Sequence, residues 1–333
     1  MRNPKIDQAK GLAIFLVVMG HVLNFCFYGN NASNSFCYKI IYSFHMPLFM
    51  FLSGMVVKDN CLNLKSIGLD LNKRFRTLVV PMLVVGLIYA YSFGYTIIEF
   101  FKEYNKLGYW YLMALCSLYV LFRLLSLVIH KSLKIINLTR EILVWVVCYL
   151  LFVCAIRIFP GKISNVFCLG QACRFFPYFI MGYLFSKYKM DSILKSDKIY
   201  ALSLFIYVLA FALEYKTNCV HCWIPVFEII QATAAIIWVM SLIWGHGNKN
   251  PITQRFELWG GKSLDIYVFH YFFYSVSLFP CLTNYFQSNK NFVQELLVGV
   301  FFSIVIVYLS LTVAGIIHHS QLLNKFIFGK VKK

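Results

Sequence analysis

Charge is what this chain of 333 residues has least of. Asp and Glu together number 13, and charged residues of both signs make up 13% of the sequence, about half the share in an average soluble domain. That scarcity excludes a soluble enzyme, a disordered chain and a secreted disulfide scaffold. Polar stretches are short as well: no connection between apolar runs exceeds about 20 residues, so an appended soluble domain is not expected. The sequence shows neither an internal repeat nor a low-complexity segment. In place of charge, 60% of the residues are apolar, roughly 200 side chains, enough for about ten helices of about 20 residues each across a bilayer core.

The expected fold is therefore an all-α integral membrane protein, a polytopic bundle of about ten transmembrane helices in one domain over 1–333. Apolar runs place the spans near 11–29, 36–57, 77–98, 109–129, 141–159, 172–186, 199–215, 223–244, 263–282 and 296–317. With the N-terminus inside, 22 of the 31 Lys and Arg residues fall in cytoplasmic segments, and six, Lys39, Lys102, Lys106, Lys162, Lys216 and Lys290, fall outside. The other three, Arg123, Arg157 and Arg174, lie within spans. Such a bias puts both termini in the cytoplasm and makes anionic lipid the natural partner of the net charge of +18. The basic start is no signal peptide, because Asp7, Lys10 and His21 interrupt it and no small-residue cleavage site follows. The eleven cysteines lie mostly within spans, as small hydrophobes. Cys219 and Cys222 flank His221 in an external loop, where plain thiols, a disulfide or a metal pair fit the spacing.

Ionisable groups inside a membrane cost at least about 2.5 to 3.5 kcal/mol and usually mark a site. Lys39, Arg157 and Arg174 sit near span ends and can snorkel, whereas Arg123 and Glu228 are deeper and of opposite sign, as in a structural ion pair. The histidines stand out. Lys10 precedes His21 by eleven residues, within about 20° of the same azimuth and about 16 Å along the helix, and Asp7 lies close to that stripe. One face of the first helix thus runs from acid and base at the surface to an imidazole near mid-membrane, the side chain best suited to moving a proton near neutral pH. In the second span Pro47 interrupts the helical ladder two residues from His45. In the ninth, Gly260 and Gly261 are expected to break the chain, Ser263 to cap the next helix and Asp265 to favour its dipole. Asp265 and His270 are five apart, too far around a regular helix to share a small pocket.

Five blocks, DQAKGLAIFLVVMGH, FHMPLFMFLSG, KRFR ahead of Pro81, RFFPYFIMGYLF and GGKSLDIYVFH, resemble in order the acyltransferase family 3 membrane proteins, above all the O-antigen acetylases and fucose 4-O-acetylases. The resemblance implies an O-acyltransferase that moves an acyl group, usually acetyl from acetyl-CoA, onto a hydroxyl of a surface or lipid-linked carbohydrate. It makes His21 the catalytic histidine and puts Lys10 where the family carries a basic residue. It also sets Lys73, Arg74 and Arg76 as the basic run for the coenzyme's phosphates, a run equally suited to lipid and topology. Asp7, His45, Asp265 and His270 complete the candidate catalytic set, and no metal is expected. The competing class is a polytopic transporter or polysaccharide exporter, which the lack of a repeat disfavours.

Overall fold

The computed structural model describes residues 3–57, 63–132, 137–158, 161–216, 224–247, 249–274, 279–289 and 291–329. Cys219, His221 and Cys222 lie outside them. The described residues form helices and no strands. In chain order these are α1 (Pro4–His21), α2 (Phe36–Met55), α3 (Leu64–Arg74), α4 (Val80–Ser92), α5 (Ile97–Lys102), α6 (Trp110–Ser132), α7 (Leu138–Ile158) and α8 (Gly161–Val166). There follow α9 (Leu169–Lys187), α10 (Asp197–Lys216), α11 (Ile224–Gly245), α12 (Pro251–Gly261), α13 (Ser263–Phe269), α14 (Phe279–Ser288), α15 (Phe292–His319) and α16 (Gln321–Phe328). Six stretches are long and apolar enough to cross a bilayer: Pro4–Phe27, Leu64–Ser92, Trp110–Ile129, Leu138–Ile158, Val226–Gly245 and Phe292–His319. The protein is an all-α, multi-pass membrane protein.

Two of the expected spans look different in the structure. The run near 77–98 belongs to a longer rod, Leu64–Ser92, in which α3 passes through a π turn at Phe75–Val79 into α4. Charges at Lys65, Asp70 and Lys73 end an apolar run without ending the backbone ladder, so hydropathy alone starts the span late. The ninth run, 263–282, is not one helix: α13 stops at Phe269, a 3-10 turn covers His270–Phe273, and α14 begins at Phe279. Gly260 and Gly261 end α12 rather than lie between helices, and Lys262, not Ser263, is the N-cap of α13.

The chain forms two compact units, Met1–Met55 with Phe185–Thr312, and Val56–Leu184 with Val313–Lys333. In the first, α1 opens with Asn3 as N-cap and Pro4 in the first turn, the residues that favour a helix start. The Lys5 ammonium donates to the Trp244 carbonyl at 2.8 Å, neutralising the C-terminal end of α11. Helices α1 and α12 cross with their backbones touching. A Cβ on Gly11 would lie 1.8 Å from the Phe256 carbonyl oxygen, and one on Gly260 would lie 1.8 Å from that of Asp7. Only glycine permits such an approach, the small-residue contact that brings helices together where lipid removes the hydrophobic drive. Phe15 stacks on Trp259 at 5.7 Å beside the crossing.

The second unit gathers aromatic rings around Phe122, which stacks on Trp145 at 5.4 Å and meets Tyr183 edge-on at 4.8 Å. Within this unit Arg123, expected to belong to an ion pair, meets a carboxylate that hydropathy did not single out. Arg123 donates from Nε and Nη2 to Asp70 Oδ2 at 3.0 and 2.8 Å. Asp70 lies inside the extended α3–α4 rod, beyond the apolar run that hydropathy selects. In the connection before α6, Lys106 is fully buried and donates to the carbonyls of Phe101, Glu103 and Asn165 at 2.8, 2.6 and 2.7 Å. Burial pushes its ammonium below the usual lysine range, and three carbonyls in place of water keep it satisfied.

Candidate active site

His21 ends α1, and its neighbours explain why a histidine is held there in an orderly way. Immediately after it the backbone widens into a π turn, Val22–Phe27, an irregularity frequent at functional sites because it re-aims side chains and leaves helical carbonyls for other donors. Tyr274 packs beside this turn, its hydroxyl donating to the Val18 carbonyl at 3.3 Å, which also accepts the Val22 amide. Gly20 clears space on the same turn, since a Cβ there would lie 2.8 Å from the ring of Tyr42. The His21 ring stacks on Phe25 at 5.5 Å, lies 5.5 Å from the ring of His270 and 4.9 Å from that of Tyr271.

The polar contacts set the protonation pattern. His21 Nε2 lies 2.8 Å from the Tyr271 hydroxyl, while its Nδ1 is buried and makes no hydrogen bond to the described residues. Either atom of the first pair can be the donor. If Nε2–H donates to the tyrosine oxygen, Nδ1 is left with an unused lone pair, the state of a base. His270 is fully buried. Its Nδ1 faces the Ile266 carbonyl at 3.2 Å, which can only accept, so the proton sits on Nδ1 and Nε2, also without a hydrogen bond among the described residues, carries a lone pair. His45 is buried in α2 with Nδ1 donating to the Ile41 carbonyl at 2.7 Å, edge-on to Tyr42, whose ring packs against Gly20 beside His21.

Of the residues marked from sequence, the structure thus brings His21 and His270 into contact and His45 into their neighbourhood. The ending of α13 at Phe269 is the irregularity that lets His270 reach this cluster while Asp265 stays buried in the first turn of α13. Asp7 and Lys10 share α1 with His21 but lie about 21 and 16 Å up its axis, at 1.5 Å per residue, and Asp7 is buried. Lys73, Arg74 and Arg76 belong to the other unit. There Arg74 is occupied: its Nε lies 3.7 Å from Asp70 Oδ1 and its guanidinium covers the Tyr119 ring at 4.3 Å. Lys73 and Arg76 are exposed, so they are the members of the run best able to meet an incoming anion.

Tyr271, Tyr274 and Phe25 also line the site, though they are not among the residues marked from sequence. The signal available was FHYFFY, in which two tyrosines follow a membrane-embedded histidine at offsets of one and four, and a tyrosine in lipid brings a hydroxyl that needs a partner. Among the described residues no group of three metal-ligating side chains could hold an ion, and three histidines with aromatic neighbours suit proton transfer.

A family model described as "Acyltransferase domain" matches residues 3–315. Nodulation protein NolL of Sinorhizobium fredii is 30% identical over 199 residues, which cover 56% of this chain and 49% of that protein. Nodulation protein NolL of Mesorhizobium japonicum is 42% identical over 84 residues, 25% of this chain and 22% of that protein. The chain therefore spans about half or less of the length of these relatives. No solved structure matches. The helical, membrane-spanning architecture, the histidine at the end of the first helix and a match over nearly the whole sequence lead to one conclusion: the chain belongs to acyltransferase family 3.

Proposed function

We propose that this protein is a membrane-bound O-acyltransferase that takes an acyl group, acetyl in the simplest case, from acyl-CoA and places it on a hydroxyl of a cell-surface or lipid-linked carbohydrate. The observation behind it is the His21 imidazole, held at Nε2 by Tyr271 with Nδ1 unbonded among the described residues. A sugar hydroxyl is a weak nucleophile, and a base that removes its proton as it attacks the thioester carbonyl contributes typically 10² to 10⁴ in rate. In the proposed cycle the hydroxyl oxygen bonds the carbonyl carbon while its proton passes to His21 Nδ1. The tetrahedral intermediate then expels the coenzyme thiolate, which takes the proton back from the imidazolium, leaving ester, thiol and neutral histidine.

The Tyr271 hydroxyl fixes the ring and accepts Nε2–H, stabilising the imidazolium. His270 and His45, each locked by a carbonyl as the Nδ1–H tautomer, form the rest of the imidazole cluster, and Asp7 and Lys10 would shape the approach along α1. Lys73 and Arg76 would pair with the coenzyme's phosphates, while Arg74, tied to Asp70 and Tyr119, would steady the turn that carries them. The basic bias places these residues and both termini on the cytoplasmic side of a ten-span bundle, where acetyl-CoA is found. A reporter fused after Lys333 and active only outside the cytoplasm should therefore stay silent; activity from it would sink the orientation.

The test of function is transfer of label from acetyl-CoA to membrane glycan, in membranes with and without the protein. Label in the glycan that requires the protein is expected. Loss of glycan export with no change in acylation would instead favour the transporter reading.

A further inference from the structure

We propose that the C-terminal helix α16 is an interfacial helix that docks on the anionic lipid of the cytoplasmic leaflet. The helix begins where α15 ends: Ser320 adopts an extended backbone, breaks the long apolar helix and caps α16 by accepting from the Leu323 amide. The eight residues that follow carry two apolar faces. One is turned inward, where Phe328 is fully buried against the His318 ring at 4.6 Å and Asn324 bonds His318 Nδ1 at 2.9 Å. The helix ends on Gly329, at φ +61°, where a Cβ would lie 2.8 Å from the Arg76 carbonyl oxygen. α16 is thereby seated in a fixed orientation on its own unit.

The opposite face is left bare. Leu322 is 81% exposed, Phe326 67% and Leu323 45%, and at 3.6 residues per turn they occupy an arc of about 100° directly across from Asn324 and Phe328. Lys325, also exposed, sits on the flank of that arc, where a lysine lays its stem on apolar surface and raises its ammonium to the headgroups. From residue 313 to residue 333 the sequence holds four lysines and no acidic residue, so this end of the chain carries charge of one sign. An apolar stripe flanked by cations is the pattern that settles at the boundary of acyl chains and anionic headgroups, with an attraction of about fivefold for each lysine near the surface. The occupant that matches both the apolar arc and the charge is the lipid leaflet. This inference rests on the inward orientation proposed above and is independent of the reaction.

The full-length chain carrying Phe326→benzoylphenylalanine, placed in nanodiscs of phosphatidylcholine with a minor share of phosphatidylglycerol, tests this by photo-crosslinking and mass spectrometry. Phospholipid adducts at position 326, enriched in phosphatidylglycerol over its bulk share, are expected. Adding Lys325→Gln should cut the enrichment about fivefold, and high salt should weaken it. The probe at Gln321, on the polar flank, should give fewer lipid adducts. Adducts to protein, whether the same chain or a second copy, or lipid adducts that merely follow the bulk composition, would overturn the proposal, and neither result bears on acyl transfer.

Discussion

The crossing of α1 and α12 links packing to chemistry, and one methyl group tests the link. In Gly260→Ala the new Cβ would stand 1.8 Å from the Asp7 carbonyl oxygen and 2.7 Å from its carbon, both backbone atoms that cannot turn away. Ordinary contact begins near 3.4 Å, so α12 has to withdraw from α1 by about 1.6 Å, and overpacking of this kind costs typically about 1 to 3 kcal/mol. The displacement does not stop there. α13 follows α12 after a single residue and leads into His270 and Tyr271, so the withdrawal pulls Tyr271 from His21. A 2.8 Å hydrogen bond lengthened by about 1 Å is no longer a bond, and misplacement by about 1 Å costs on the order of 10² in rate. Gly260→Ala should thus lower the melting temperature by several degrees, at about 2 to 4 °C per kcal/mol, and reduce kcat about a hundredfold. The comparison is Gly299→Ala, whose Cβ would meet nothing nearer than the flexible Met19 Cε at 3.4 Å; it should keep both. Thermal unfolding in detergent and acetyl transfer in reconstituted membranes measure the two quantities. Unchanged melting temperature and kcat in Gly260→Ala would show that the α1–α12 crossing does not position Tyr271.

Tyr271→Phe removes the hydroxyl at His21 Nε2 while keeping the ring, and should lower kcat by about tenfold, the factor for about 1.4 kcal/mol, one charge-assisted bond to the imidazolium. The acidic limb of the pH–rate profile should move with it, which a merely structural role would leave in place. Lys73→Ala with Arg76→Ala should raise the apparent KM for acetyl-CoA by about tenfold with the acceptor's KM unchanged, and salt should mimic the loss. Arg74→Ala should act differently, lowering stability through Asp70 and Tyr119 before it touches KM; wrong insertion of the Lys73 and Arg76 variants with KM intact would assign those residues to topology alone.

Much of this was legible in the sequence because a membrane allows few solutions. Apolar runs had to be helices, and an imidazole in that setting had to be paired or used, so His21, His45 and His270 stood out from spacing and depth. What stayed hidden depends on backbone detail or on partners far apart in the chain. Gly11 and Gly260 are 249 positions apart, and nothing local announces that one helix rests on the other. The π turn after His21 and the 3-10 turn at His270 are departures from 3.6 residues per turn that no periodicity reports, yet they decide which rings meet. Asp70 reaches Arg123 because the rod Leu64–Ser92 extends past the apolar run, carrying a carboxylate to within 2.8 Å. Tyr271 was overlooked because a tyrosine beside a histidine reads as ordinary aromatic filling until the 2.8 Å contact is seen.

Single-turnover acetyl transfer by His21→Gln and His21→Ala, with His45→Ala and His270→Ala alongside, decides whether His21 is the base. Glutamine keeps the size of the side chain and a group for Tyr271 to bond but cannot take up the proton, so normal membrane levels and acetyl-CoA binding are expected. The rate of transfer should fall by at least about a hundredfold in both His21 variants, with smaller losses at His45 and His270. Substantial turnover in His21→Gln, together with abolition in His45→Ala or His270→Ala, would show that His21 is not the base.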